Sequence, residues 1–90
     1  MDKTSLVLKM NECFAEEGCC VILHFVDGSD LLVRNKPVFN NLAMEVNLNY
    51  VYDNSDIVEQ CFIPYASIMY ITITTVDNLN KISKSYYNEN

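Results

Sequence analysis

The chain is poor in the residues that break or bend a backbone: 90 residues contain two glycines and two prolines. Most of it is therefore expected in regular elements joined by short turns. Gly18 and Gly28 stand apart, so no glycine-rich phosphate loop can be built. Tryptophan is absent and histidine occurs once, at His24. With no Cys-x-x-Cys and no His-x-His spacing, the common zinc patterns are excluded, and no metal or other cofactor is expected. Basic residues are also scarce. Lys3, Lys9, Arg34, Lys36, Lys81 and Lys84 stand against twelve acidic residues, for a net charge of −6. Following a phosphate backbone needs clustered Lys and Arg, so duplex DNA is not an expected partner. No apolar run approaches the roughly 20 residues of a membrane span. The opening MDKTSLVLKM has no small-residue cleavage site of a secretory signal. The expectation is a cytoplasmic protein without membrane association. In that setting Cys13, Cys19, Cys20 and Cys61 are expected as free thiols with no disulfide among them.

Hydrophobic residues, by contrast, make up half the chain. That is a globular composition, sized for one domain whose own core is small. An apolar surplus in so short a chain points to a partner subunit covering part of it.

The periodicity lays out the elements. Thr4 to Glu17 reads as a helix, with Leu6, Met10, Cys13 and Phe14 on one face, Thr4 or Ser5 as cap and Gly18 just past its end. Cys19 to Val26 and Asp30 to Arg34 are rich in strand formers, and Asp27-Gly28 between them is a hairpin signal. RNKPVFNN reads as an irregular crossing, because Pro37 cannot donate to a ladder. From Leu42 to Tyr52 apolar residues alternate with period two, the mark of a strand, and its length suggests a bend or bulge. DNSD is a turn, and Ile57 to Ile63 the next strand. Pro64 ends it, Tyr65-Ala66-Ser67 makes one 3₁₀ turn, and Ile68 to Thr75 forms the last strand. Residues 1–76 make a single domain. Residues 77–90 are a polar tail, read as a short helix through Leu79, Ile82 and Tyr86 or as disordered chain.

This order resembles the Sm-like superfamily of small β-barrels, which includes the bacterial Hfq proteins. The resemblance covers Ser5 to roughly Thr75. It rests on CVILHFVDGSDLLVR as the first hairpin, NNLAMEV with Asn41 as the end of the first Sm motif, and FIPYASIMYI as the second. It implies a mainly β (α+β) fold, an N-terminal helix followed by a strongly bent five-stranded SH3-like barrel. It also implies a homo-oligomer in which the fourth barrel strand of one subunit pairs with the fifth of the next. Ile57, Ile68, Met69 and Ile71 would then lie at the subunit interface. The chain departs from the family at Pro64-Tyr65, where Arg-Gly is expected, and at Pro37, where an acidic residue is expected. The family's phosphate-holding cations are therefore missing.

No catalytic residue is assigned. His24 has no nucleophile or carboxylate partner at motif spacing and reads as a surface or interface histidine. Asp27/Asp30 and Asp53/Asp56 flank turns, where carboxylates cap backbone amides. Tyr65 takes a ligand-facing position by the resemblance. Phe39 and Asn41 offer stacking and hydrogen bonding, and Arg34 with Lys36 is the basic cluster of the barrel. The expected function is a non-enzymatic oligomeric binding protein whose ligand is a nucleotide, short RNA or similar flat anion held between subunits. The alternative is an acidic protein-interaction module, such as a small inhibitor or adaptor of the kind found among phage or mobile-element anti-defence proteins.

Overall fold

The computed structural model describes the backbone of residues 1–52 and 55–87, and the side chains of residues 1–48 and 59–81. In chain order the elements are α1 (Lys3–Phe14), β1 (Cys19–Phe25), β2 (Asp30–Val33), β3 (Val38–Phe39), β4 (Ala43–Tyr52), β5 (Ser55–Pro64), a 3₁₀ turn (Tyr65–Ser67), β6 (Ile68–Thr75) and α2 (Val76–Tyr87). The strands form two three-stranded antiparallel sheets: sheet A in the order β2-β1-β6 and sheet B in the order β3-β4-β5. The fold is thus mainly β with an N-terminal helix, as expected. Among the described residues it differs in having six strands and no closed sheet. The sixth strand arises at Pro37, which lacks an amide hydrogen. Pairing with β1 stops at Val33, and a two-residue strand, Val38–Phe39, then pairs with Met44 and Glu45 of β4. Two residues are too few for an alternating pattern, so the sequence presents this strand as loop.

The hairpin at Asp27-Gly28 forms as its composition requires. Gly28 takes φ 89°, a left-handed conformation strained for other residues. The Asp27 carboxylate accepts from Ser29 N at 2.9 Å and Ser29 Oγ at 2.6 Å. The long strand β4 neither bulges nor slips, because its pairing with β5 runs unbroken from Ala43↔Pro64 to Tyr52↔Ser55. The register shifts instead in sheet A, between His24 and Phe25.

Helix α1 both starts and ends earlier than expected. Its cap is Asp2 rather than Thr4 or Ser5: the Asp2 carboxylate accepts from Ser5 N and Ser5 Oγ, both at 3.1 Å. Ser5 is thus the donor to a cap, three positions inside it. These bonds, the backbone one first, hold the Asp2 carboxyl below its ordinary range. A depressed folded-state pKa supplies stability above the unfolded value and loses it as acid protonates the native carboxylate. Asn also caps helices. Asp2→Asn should therefore keep α1 at neutral pH and show a smaller loss of helical circular dichroism on acidification. Equal acid sensitivity of the two proteins would contradict this assignment.

The helix ends at Phe14, leaving Glu16 and Glu17 outside it, and Gly18 at φ 78° turns the chain back into β1. That reversal brings Cys13 and Cys19 to a Cα separation of 5.6 Å, where they form a disulfide. The expectation of four free thiols is corrected here; Cys20 and Cys61 remain free. The partners are 6 positions apart in sequence, and closing so short a loop is worth about 2 kcal/mol. Thiol titration of the unfolded, unreduced protein should find two free thiols per chain, and four would contradict the bond.

Leu6, Met10 and Cys13 of α1 meet Val21, Leu23 and Val33 of sheet A, Met44, Val46 and Ile63 of sheet B, and Tyr65 and Ile68 at the connection. The core thus joins the inner faces of both sheets beneath the helix. Each fully buried aliphatic side chain contributes about 1.5–3 kcal/mol. Helix α2 runs from Val76 to Tyr87, started where Thr75 Oγ1 accepts from Asn78 N at 3.1 Å. Among the described residues no helix is long and apolar enough to cross a membrane.

Candidate interaction surfaces

On β1, Val21 and Leu23 point into the core, so Cys20, Ile22 and His24 belong to the other face. The register sets His24 between Asp30 of β2 and Tyr70 of β6, two pairs along the ladder from Thr72. His24 Nδ1 lies 2.8 Å from Asp30 Oδ1, and Nε2 lies 2.8 Å from Thr72 Oγ1. A carboxylate only accepts, so Nδ1 carries a hydrogen. The imidazole also stacks on Tyr70, with centroids 4.1 Å apart and planes 12° apart. Carboxylate, imidazole and hydroxyl in line are the parts of a hydrolytic triad. Asp30 is 58% exposed on an open strand surface, and the group forms a clamp across three strands. Sequence spacing missed it because the partners are joined by register. The Asp-Gly turn, which fixes His24 opposite Asp30, was the available signal.

Among the described residues each sheet has two open edges, β2 and β6 in sheet A and β3 and β5 in sheet B. Ile73 is directly opposite Val21 and shares its core-facing side, yet Ile73 is 46% exposed while Val21 is fully buried. The inner face of sheet A is therefore uncovered at the Ile73 end of β6, while Ile68 and Ile71 pack on the core. Met69 falls at the register shift, between Tyr70, which pairs with His24, and Ile68, which pairs with Phe25. It has no partner across the ladder and is exposed.

The residues singled out by sequence scatter. Tyr65 is 5% exposed and packs in the core. Its hydroxyl donates to Asn40 O at 2.7 Å, and Lys3 Nζ sits 5.7 Å from its ring centroid. The expected ligand-stacking face is occupied by the protein itself, because the 3₁₀ turn folds the ring inward. Phe39 is half-buried against the same core, and Asn41 is exposed at the β3–β4 turn. Arg34 and Lys36 are exposed. Arg34 lowers the Cys20 thiol pKa, but burial outweighs it and raises the thiol. Ile68, expected at a subunit interface, is fully buried in the chain's own core. Ile71 is half-buried beside that core. The side chain of Ile57 lies outside the described residues, as do those of Tyr50, Tyr52, Tyr86 and Tyr87 and the Asp53/Asp56 pair.

A shallow depression of about 410 Å³ lies on α1, lined by Lys3, Thr4, Val7, Leu8 and Asn11. All of these come from one helix, and none belongs to the clamp or to the expected ligand site. Among the described residues no three His, Cys, Asp or Glu side chains are grouped to hold a metal ion. No protein-family model, curated protein or solved structure matches the chain.

Proposed function

We propose that this protein is a non-enzymatic interaction module that assembles with copies of itself through the open edges of its sheets. Ile73 carries the reading: an apolar side chain on the core-facing side of an edge strand, left 46% exposed. An open edge also presents unpaired backbone groups that template another strand. Further support comes from the β4–β5 hairpin. β3 reaches only Met44 and Glu45, so beyond them β4 is paired with β5 alone among the described residues. A two-stranded ribbon is marginal by itself in water. Adding β6 of one copy to β5 of the next extends sheet B and covers Ile73 together. The same reading takes β2 and β3 as two halves of one bent strand interrupted at Pro37. That restores the five-strand order of an Sm-like barrel, whose members assemble through these edges.

A flat anionic ligand at the boundary between copies, a nucleotide or short RNA, is the second reading. Its support is Tyr70, an exposed ring already stacked on His24, with Arg34 and Lys36 in solvent. Native mass spectrometry of the protein purified from cells separates the two. A multiple of the chain mass without added ligand supports the interaction module. A retained nucleotide, released on denaturation, supports the second reading.

A further inference from the structure

From Val38 to Pro64 the chain contains no Lys, Arg or His, but carries Glu45, Asp53, Asp56 and Glu59. All of sheet B falls within that stretch. Its register aligns Val38, Glu45 and Phe62 in one row across the three strands. The adjacent row, Phe39, Met44 and Ile63, faces the core, with Met44 fully buried and Ile63 at 7% exposure. Alternation turns the first row outward, where Val38 is 56% and Phe62 63% exposed. In the middle of the row Glu45 accepts from the side-chain amide of Gln60, which holds the carboxylate in place.

We infer that this outer face of sheet B docks a segment of another protein that is both apolar and basic. Its hydrophobic side chains lie on Val38 and Phe62, and its Lys or Arg meets Glu45. The inference rests on the reading of the protein as an interaction module and names the partner's chemistry. An acidic face with two large exposed apolar groups and no cation repels nucleic acid and attracts a cationic polypeptide. A second copy is a poor occupant, because it brings its own net charge of −6 to an acidic face. The strand used for self-assembly avoids that conflict, since Ile68 to Thr75 contains no charged residue.

The test is fluorescence anisotropy with a labelled alternating Lys-Leu peptide, beside Glu-Leu and Lys-Ser peptides of equal length. Only Lys-Leu should bind saturably. Phe62→Ser and Glu45→Lys should each weaken it at least about tenfold, the loss of one good interface anchor. Glu59→Lys makes the same charge change on the opposite side of β5 and should weaken binding less than about threefold, as an exposed charge does. Circular dichroism checks that each variant is folded. Equal losses from Glu45→Lys and Glu59→Lys would reduce the effect to net charge and overturn the inference. So would absent binding, or saturable binding indifferent to Phe62→Ser. The mass of Phe62→Ser alone keeps the two readings apart. An assembly lost in this variant assigns the face to a second copy and overturns the inference. Peptide binding that depends on this face in a monomeric wild type overturns self-assembly and leaves the inference standing.

Discussion

Tyr65→Ala is expected to lose about 3–5 kcal/mol of folding stability, the cost of truncating a buried aromatic ring. The ring fills the junction between α1 and both sheets, and its hydroxyl satisfies the Asn40 carbonyl. A domain of this size has roughly 0.05–0.15 kcal/mol per residue to lose, so the variant should be largely unfolded or melt far below the wild type. Tyr65→Phe keeps the ring and removes one hydrogen bond, for a loss of about 1 kcal/mol. Burial also raises the pKa of the phenol. The unfolded chain then releases its proton first, so this stability is present below the ordinary tyrosine range, about 10, and is lost above it. Tyr65→Phe should lack that alkaline loss. Urea denaturation of the three proteins measures all of this. Near-wild-type stability of Tyr65→Ala would remove the ring from the core and return it to a ligand site.

Ile73→Asp is expected to abolish assembly while leaving the single chain folded. In one chain the side chain is already 46% exposed, so a carboxylate there stays hydrated. Against a neighbouring strand it becomes an unpaired charge taken out of water, at a cost of about 3–5 kcal/mol. That corresponds to a loss of affinity of roughly a hundredfold or more. Leu23 is the contrasting position. It pairs with Ile71 in the same sheet but is fully buried, and Leu23→Asp should unfold the chain outright. An assembly that tolerates Ile73→Asp would place the contact elsewhere.

Where one local rule dominates, the sequence is readable. The Leu6–Met10–Cys13 spacing, the Asp27-Gly28 turn, the alternation through β4 and the Pro64 stop followed by a 3₁₀ turn each appear at or within a few residues of the expected place. Where the outcome depends on what comes near in space, it is not. Cys13 and Cys19 meet only because Gly18 reverses the chain. The His24 clamp needs the register of three strands. Tyr65 looks the same in sequence whether its ring turns toward solvent or toward Met10 and Leu23. The Val38–Glu45–Phe62 row could have been found, since the absence of cations from Val38 to Pro64 is visible by inspection. Its outward direction needed the β3 pairing that Pro37 conceals.

Self-assembly through the β6 edge is tested most directly by the molar mass of the unmodified protein, measured by light scattering across the micromolar range. The expected result is a mass that is a multiple of the 10.3 kDa chain and returns to the single-chain value for Ile73→Asp. A wild-type mass fixed at 10.3 kDa across that range would contradict it, leaving β6 an ordinary solvated edge.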